Sequence, residues 1–442
     1  NFLGCNAGYY NTTGYNNNFF GRAAGKCNIG GRDNNFFGWY AGESNTTGGC
    51  NNFIGALAGL CNTTGHYNNF IGQEAGRRNT TGKYNNFFGK GAGYFNTTGE
   101  YNNFFGYYAG YYNTGKHNNF ISQYAGFCNT TGCYNNFFGR NAGRCNTTGV
   151  SNNFFGCAAG RDNTTGCHNN FFGNGAGYYN TTGCHNNFFG YYAGSENTTG
   201  TDNNFFGNTA GFANTSGGAN NFFGVLAGRA NTIGSFNNFI GGNTGYNNTT
   251  GCYNNFLGNY AGYNNTTGCY NTFLGNCAGN TNTSGSCNIA IGYDVELPSA
   301  TGDNQLAIGS GTNRWIAGDS SFNVTVSTAS TFSSSGVVVS GIVTATDFNS
   351  ASDAKLKTNV QIIPDPLEKV LQINGVSFNW IKDNKPSMGV IADNIQEILP
   401  ELVSDSDPKT VNYNGLIGLL IEVVKEQQTQ IDSLNERLSR LE

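Results

Sequence analysis

The chain has 442 residues, of which 11% are charged, with 67 glycines, 6 prolines and 14 cysteines. Ordinary globular domains carry about 25% charged residues, so this composition excludes a conventional enzyme domain over most of the length and points to repeat material with a globular appendix. Residues 1–285 hold 12 Lys/Arg and 7 Asp/Glu (+5), residues 286–442 hold 10 and 19 (−9), and the thin positive excess of the first part argues against a nucleic-acid partner.

Asn1-Phe2-Leu3-Gly4 matches the NFFG of the repeat that follows, so the chain opens in mid-unit and reads as the distal part of a longer polypeptide. From Asn11 to Asn282 a 17-residue unit recurs, with a single step of 16 between Asn113 and Asn129. A fixed short period marks units that stack on one another. Residues 96–112, NTTGEYNNFFGYYAGYY, stand for the rest. Gly99, Gly106 and Gly110 read as corners, since glycine enters left-handed backbone without steric cost. The segments between them are too short for helix. The expectation is one coil of a parallel β-roll per unit.

Neighbours in a strand point to opposite faces, so Phe104 and Phe105 cannot share one. One ring fills the thin core of the coil and the other leaves an apolar stripe along the outside. A lone coil would expose that stripe far beyond the few hundred Å² usual on a soluble monomer, and burying each ring is worth about 1.5–3 kcal/mol. Parallel copies packed about a common axis, stripes inward, would cover it, which makes Phe104 and Phe105 candidate self-association contacts. The alternative is a ring lying flat on its own corner residues.

The Asn pairs fall at the same place in every coil, where amides can bond along the fibre as in cross-β stacks. Asn-Thr-Thr also fits the N-glycosylation sequon, but its repetition in nearly every coil is more simply a structural ladder. The slots after each Gly accept anything from Trp39 to Gly49 and read as solvent-facing. Among them Tyr107, Tyr108, Tyr111 and Tyr112, with Tyr191 and Tyr192, are the candidates for stacking on sugar rings; the alternative is that they fill corners. All cysteines lie in such slots, without a CxxC. Cys167/Cys184 and Cys252/Cys269 share a slot in adjacent coils, about 4.8 Å apart, which leaves axial disulfides open. Cys167-His168 with Cys184-His185 make a zinc-like set on paper, but exposed side chains without coordination are the plainer reading, and no metal or cofactor is expected.

The short copy, residues 113–128, drops one Thr and has Ser122 in place of Gly, which reads as a kink or a tolerated slip. At Asn288-Ile289-Ala290-Ile291-Gly292 the Phe pair is lost, implying a narrower core; this stretch resembles the parallel β-roll of trimeric autotransporter adhesin heads. Residues 293–351 read as a β-rich neck, with Ser/Thr-rich residues 327–335 and apolar residues 337–343. From Ser352 the composition is ordinary. Asp365-Pro366 reads as a helix N-cap with Pro in the first turn, leading a helix over 367–373. Residues 376–380 and 388–392 read as strands, residues 395–399 as a helix stopped by Pro400, and the tail from about Leu416 as a helix. In that tail Ile417, Leu420, Val424, Gln427, Ile431, Leu434, Leu438 and Leu441 alternate steps of three and four, a heptad seam with one polar layer.

Three ordered blocks carry a resemblance. Ser352-Asp353-Ala354-Lys355-Leu356-Lys357, GVIADNIQEILPELV (389–403) and VNYNGLIGLLIEVVKEQ (411–427) closely resemble the intramolecular chaperone of endosialidase, a domain that ends many phage tail fibres and tailspikes. The resemblance implies a homotrimer: three C-terminal domains associate through their helical tails, hold the β-chains in register and are then cut off. It implies a Ser–Lys reaction in which Ser352 attacks the carbonyl of Ala351, with Lys357 as base once burial lowers its pKa. The expected organisation is thus mainly β: a parallel β-roll or β-helix shaft (1–292), a neck (293–351), a small α+β chaperone domain (352–415) and a coiled-coil helix (416–442).

The function so implied is a virion tail fibre, assembled in the host cytoplasm, with the upstream fibre and tail and a host cell-surface glycan or protein as partners. A polysaccharide-degrading tailspike is the alternative. Glycoside hydrolysis needs two carboxylates about 5–9.5 Å apart, and the seven of the shaft, Asp33, Glu43, Glu74, Glu100, Asp162, Glu196 and Asp202, are scattered singly. A cellular adhesin would need a membrane β-barrel segment beyond Glu442. No run of 18 apolar residues is present to span a membrane. An ice-binding Thr array is disfavoured because adjacent Thr point to opposite faces of a strand.

Overall fold

A strand of three residues per repeat is all that the sequence between its turns allows, and each such strand finds its partner one repeat away. In the computed structural model, which describes residues 1–321, 323–326, 353–381, 384–405 and 408–441, the strands from Asn18–Phe20 to Ile289–Ile291 pair in parallel, coil on coil. Asn153, Phe154 and Phe155 sit opposite Asn170, Phe171 and Phe172, a register of one repeat. The short copy does not interrupt it: Asn103, Phe104 and Phe105 face Asn119, Phe120 and Ile121. Its missing residue is taken up in the turn, where the amides of both Thr114 and Gly115 donate to the Thr130 carbonyl.

The first ring of each pair is the core. Phe19 through Phe273 have no exposed area and lie beside the equally buried alanines of the Ala-Gly step. Successive rings stack at 4.7–4.9 Å, nearly parallel. The second ring stacks too, at 4.7 Å between Phe155 and Phe172, but on the outside, where Phe105 is 38% exposed. Of the two rings proposed for self-association, Phe104 is therefore enclosed by its own coil, and only Phe105 is available to another chain.

Three amide ladders run beside the rings. Asn146 Nδ2 donates to Asn129 Oδ1 (2.6 Å) and to the Gly149 carbonyl (3.1 Å). The Asn152 amide nitrogen donates to Asn135 Oδ1 (3.0 Å), and Asn153 Nδ2 to Asn170 Oδ1 (2.8 Å). The Asn of each complete Asn-Thr-Thr from Asn45 on is buried and bonded, so these amides are closed to a glycosylating enzyme in the folded shaft. Beside it Thr147 Oγ1 donates to the Thr164 carbonyl (3.0 Å), a column of its own.

The corner glycines behave differently from the expectation. Gly110 has φ +58° and Gly106 φ +144°, but Gly99 is not in the left-handed region. Beside Gly110, the left-handed corners are Tyr101 (φ 58°) and Tyr108 (φ 54°), the second slot after Gly99 and after Gly106. Gly99 is needed for a different reason: a Cβ there would stand 2.6 Å from the Gly115 carbonyl oxygen of the next coil. At Gly106 the coil above is equally close, and Ser122 occupies the equivalent corner at φ 111°, a strained place for a non-glycine residue.

At Ala290 and Ala307 the core ring gives way to methyl groups, with Val295 and Leu297 closing the end. Strand Leu306–Ser310 continues the parallel stack, and Asn313–Gly318 and Val324–Val326 then turn back antiparallel. Such a change of pattern caps a solenoid.

Residues 1–335 and 336–442 form separate units. In the second, helices α1 (Pro366–Gln372), α2 (Ala392–Ile398) and α3 (Tyr413–Ser439) accompany an antiparallel hairpin, Gly375–Asn379 with Pro386–Val390. Ile395, Leu399, Leu419 and Val423 are its buried core. Pro366 opens α1 as expected, but Asp365 (φ 48°) makes no side-chain cap bond. Asn412 does cap α3, accepting from the Gly415 amide.

Candidate functional site

α3 is two-faced. Leu419 and Val423 turn into the domain core, while Ile417, Leu420, Val424, Ile431, Leu434, Leu438 and Leu441 are 49–85% exposed, with Gln427 exposed among them. Ile417, Leu420 and Val424 thus lie on the face turned away from the chain's own core, and the later seam residues lie where no described core residue packs. From Lys425 to Ser439 Glu426 is half-buried and every other residue is exposed. An amphipathic helix owes most of its stability to the packing of its apolar face, and this face is unpacked within one chain.

Ser352 and Ala351, the expected nucleophile and scissile carbonyl, lie outside the described residues, as do the neck residues 327–335 and 337–343. Lys357 follows a short 3-10 turn, Ala354–Leu356, whose first amide-side cap is Asp353, accepting from the Lys355 amide at 2.9 Å. Lys357 is exposed.

On the shaft the structure gathers the tyrosines singled out from the sequence. Ring centroids are 4.1 Å apart for Tyr107–Tyr108, 4.9 Å for Tyr108–Tyr111 and 4.8 Å for Tyr111–Tyr112. The Tyr107 phenol, chiefly through its hydrogen bond with Tyr108, and the Tyr111 phenol, chiefly through burial, are held above the usual tyrosine pKa and stay protonated. Tyr191 and Tyr192 form a smaller pair of their own. Two features were missed from the sequence. Arginines sit on this cluster: Arg78 lies over Phe95 at 4.8 Å and Arg144 over Tyr124 at 5.6 Å. A second aromatic column, Tyr67, Tyr84, Tyr101, His117 and Tyr134, stacks at 4.8–5.0 Å with near-parallel planes. A 17-residue alignment of the variable slots would have shown both.

The thiols are free. The Cys167 amide donates to Cys184 Sγ (3.1 Å), and the Cys252 amide to Cys269 Sγ (3.1 Å). Cys128 is the thiol shifted down: a hydrogen bond from Cys145, helped by Arg144, lowers its pKa to about 7, and the same bond pushes Cys145 up, while burial raises Cys277. His168 and His185 meet edge to face at 5.2 Å, and His185 faces Asp202 at 3.5 Å. Among the described residues no group of three or more His, Cys, Asp or Glu side chains is placed to hold a metal ion.

Residues 352–404 match the family described as chaperone of endosialidase. The chain is 31% identical over 98 residues to long tail fiber protein Gp37 of Enterobacteria phage K3, covering 20% of this chain and 8% of that protein. It is 26% identical over 114 residues to long tail fiber protein Gp37 of Salmonella phage S16, covering 23% and 15%. The chain therefore spans a small part of the length of these relatives. No solved structure matches it.

Proposed function

We propose that this chain, a phage tail-fibre polypeptide ending in a chaperone-of-endosialidase domain, forms a homotrimeric shaft whose C-terminal unit directs assembly and then removes itself. The observation that carries this is the seam of α3, apolar except at Gln427 and exposed along its length. Three such helices packed on one another would bury the seam, and shafts associated side by side would cover their outer stripes, Phe105 among them. Parallel pairing is slow and leaves apolar surface open meanwhile, so a clamp that holds the chains in register has a physical task, which ends once the shaft is wound.

Removal follows from the chemistry assigned to Ser352 and Lys357. Ser352 Oγ attacks the Ala351 carbonyl carbon as Lys357 Nζ takes its proton. The C–N bond breaks, the proton passes to the freed Ser352 amine, and water hydrolyses the resulting ester to the Ala351 carboxylate. Lys357 is exposed in the single chain, and packing of the three chains encloses it beside Ser352, so cleavage waits for the trimer. Intact-mass measurement tests this. The wild-type chain yields fragments ending at Ala351 and beginning at Ser352, and Ser352→Ala stays whole yet trimeric. Cleavage of Ser352→Ala at the same bond overturns the assignment.

The tailspike alternative gains little support. Asp162 and Glu196 do flank one shallow groove, with Tyr179 between them. Asp162, however, is tied to Arg161 (2.8 Å), Glu74 to Arg77 (3.3 Å) and Glu100 to Lys116 (3.1 Å). Carboxylates held by neighbouring cations are poor general acids. Binding of a host-surface molecule by the shaft, without turnover, is the better reading.

A further inference from the structure

Charge along the shaft is not spread evenly. Residues 74–144 hold seven basic side chains (Arg77, Arg78, Lys83, Lys90, Lys116, Arg140, Arg144) and two acidic ones (Glu74, Glu100), a net +5. The rest of residues 1–285 holds five of each and is neutral. These few coils thus carry the whole positive excess. They also carry the largest aromatic cluster and the one coil of irregular length. Three departures from an otherwise uniform repeat coincide.

The cluster has an order. It occupies the two slots after the Ala-Gly step and the two before it, over successive coils. Arg78 stands at one axial end, over Phe95, and Arg144 at the other, over Tyr124. Both arginines are exposed. Between them Tyr107 and Tyr112 are 39% and 42% exposed. Four coil steps of 4.7–4.8 Å separate the coil of Arg78 from the coil of Arg144, about 19 Å. The rings here meet both ways, stacked across coils at 15° for Phe95–Tyr112 and 12° for Tyr111–Phe127, and steeply within a coil at 54° for Tyr107–Tyr108 and 85° for Tyr111–Tyr112. The Tyr67–Tyr134 column, by contrast, has planes within 9° of one another, so its ring faces are taken by neighbours and only edges point outward.

We propose that this face of residues 74–144 is the glycan-binding site of the fibre and that its ligand is an acidic polysaccharide carrying carboxylates. The proposal rests on the tail-fibre reading and specifies where and what the shaft would bind. A guanidinium fork matches a carboxylate in two parallel hydrogen bonds. Tyrosine offers a sugar an apolar ring with a hydroxyl at its rim. A polymer whose acidic groups are separated by neutral sugar surface meets both ends and the middle of the patch at once. Nucleic acid, charged at every step, would be better served by a continuous basic track than by two cationic ends around an aromatic centre.

The test uses the assembled fibre, with polygalacturonate as probe. Binding is measured by titration calorimetry at low salt, where screening is weak. Polygalacturonate binds, and its fully methyl-esterified form does not. Arg78→Gln with Arg144→Gln weakens binding at least tenfold, as does Tyr107→Ser with Tyr112→Ser, whereas Arg229→Gln, outside the patch, leaves it unchanged. Equal binding of the esterified polymer, tighter binding of single-stranded DNA, unaltered binding by both double variants, or no binding at all overturns the proposal. Native mass of the same sample separates the two failures: an assembled fibre that ignores polygalacturonate refutes this site alone, and a single unassociated chain refutes the fibre reading beneath it.

Discussion

Gly143 and Phe137 interlock, and breaking that lock gives a prediction with a worked magnitude. Gly143 sits at φ +55°, and a Cβ there would stand 2.5 Å from Cδ2 of the Phe137 ring. The ring cannot yield, because Phe120 and Phe154 clamp it at 4.8 Å on either side and it has no exposed area. Gly143→Ala therefore costs about 1 kcal/mol for the left-handed backbone plus about 1–3 kcal/mol of overpacking. Phe137→Ala alone leaves a hole in the column and costs about 3–5 kcal/mol. In the double variant the clash is gone, so its loss falls short of the sum of the single losses by about 1–3 kcal/mol, the overpacking share. Native-state hydrogen exchange in the coils from Asn129 to Gly160 reads local opening free energies without requiring reversible unfolding of the fibre. Strict additivity, or a Gly143→Ala cost no larger than the backbone share, would refute the interlock.

The other predictions concern the ladders, the thiols and the seam. Asn146→Asp removes both donors that Asn129 Oδ1 and the Gly149 carbonyl accept, so the shaft loses more than about 2 kcal/mol at neutral pH. Burial raises the folded pKa of the new carboxyl above its unfolded value. Most of the loss is therefore recovered below about pH 4 and returns as pH rises through the folded value; a pH-independent loss measured by thermal melting would contradict this. Cys128, with its pKa lowered to about 7, is the thiol alkylated first by iodoacetamide, with a rate that rises through that pH. Cys145→Ala moves the midpoint up towards that of an ordinary thiol, and an unmoved midpoint by peptide mass mapping removes the Cys145 hydrogen bond as its cause. Leu434→Glu leaves the domain core of Ile395, Leu399, Leu419 and Val423 intact but gives uncut single chains by native mass.

Much of the shaft was legible because period and pattern act together. A strict 17-residue step with two adjacent rings leaves few ways to place Phe104 and Phe105, and one inside, one outside is what the coil does. The assignment of the corners was not legible. Gly99 and Gly110 look alike in sequence, yet Gly110 is a left-handed residue under a ring and Gly99 an ordinary one pressed by the next coil. Tyr101 and Tyr108 enter the left-handed region because the ladder fixes their amides, Tyr101 to the Lys83 carbonyl and Tyr108 to the Lys90 carbonyl, and no single-residue preference reveals that. The C-terminal helix showed its seam through spacing alone, but which other residues face the domain, Leu419 and Val423, needed α1 and α2 in place. The arginines around the tyrosine cluster escaped notice because they are dozens of residues from one another and become neighbours only when coils are stacked.

The central claim is that the outer rings are covered by sister chains. Native mass of the matured shaft tests it directly, with wild type beside a variant carrying Ser at Phe138, Phe155, Phe172 and Phe189, four consecutive rings of the stripe. The account predicts three chains for the wild type and separated chains for the variant once the C-terminal unit is gone. A wild-type shaft that runs as one chain, or a variant that remains trimeric, would contradict it.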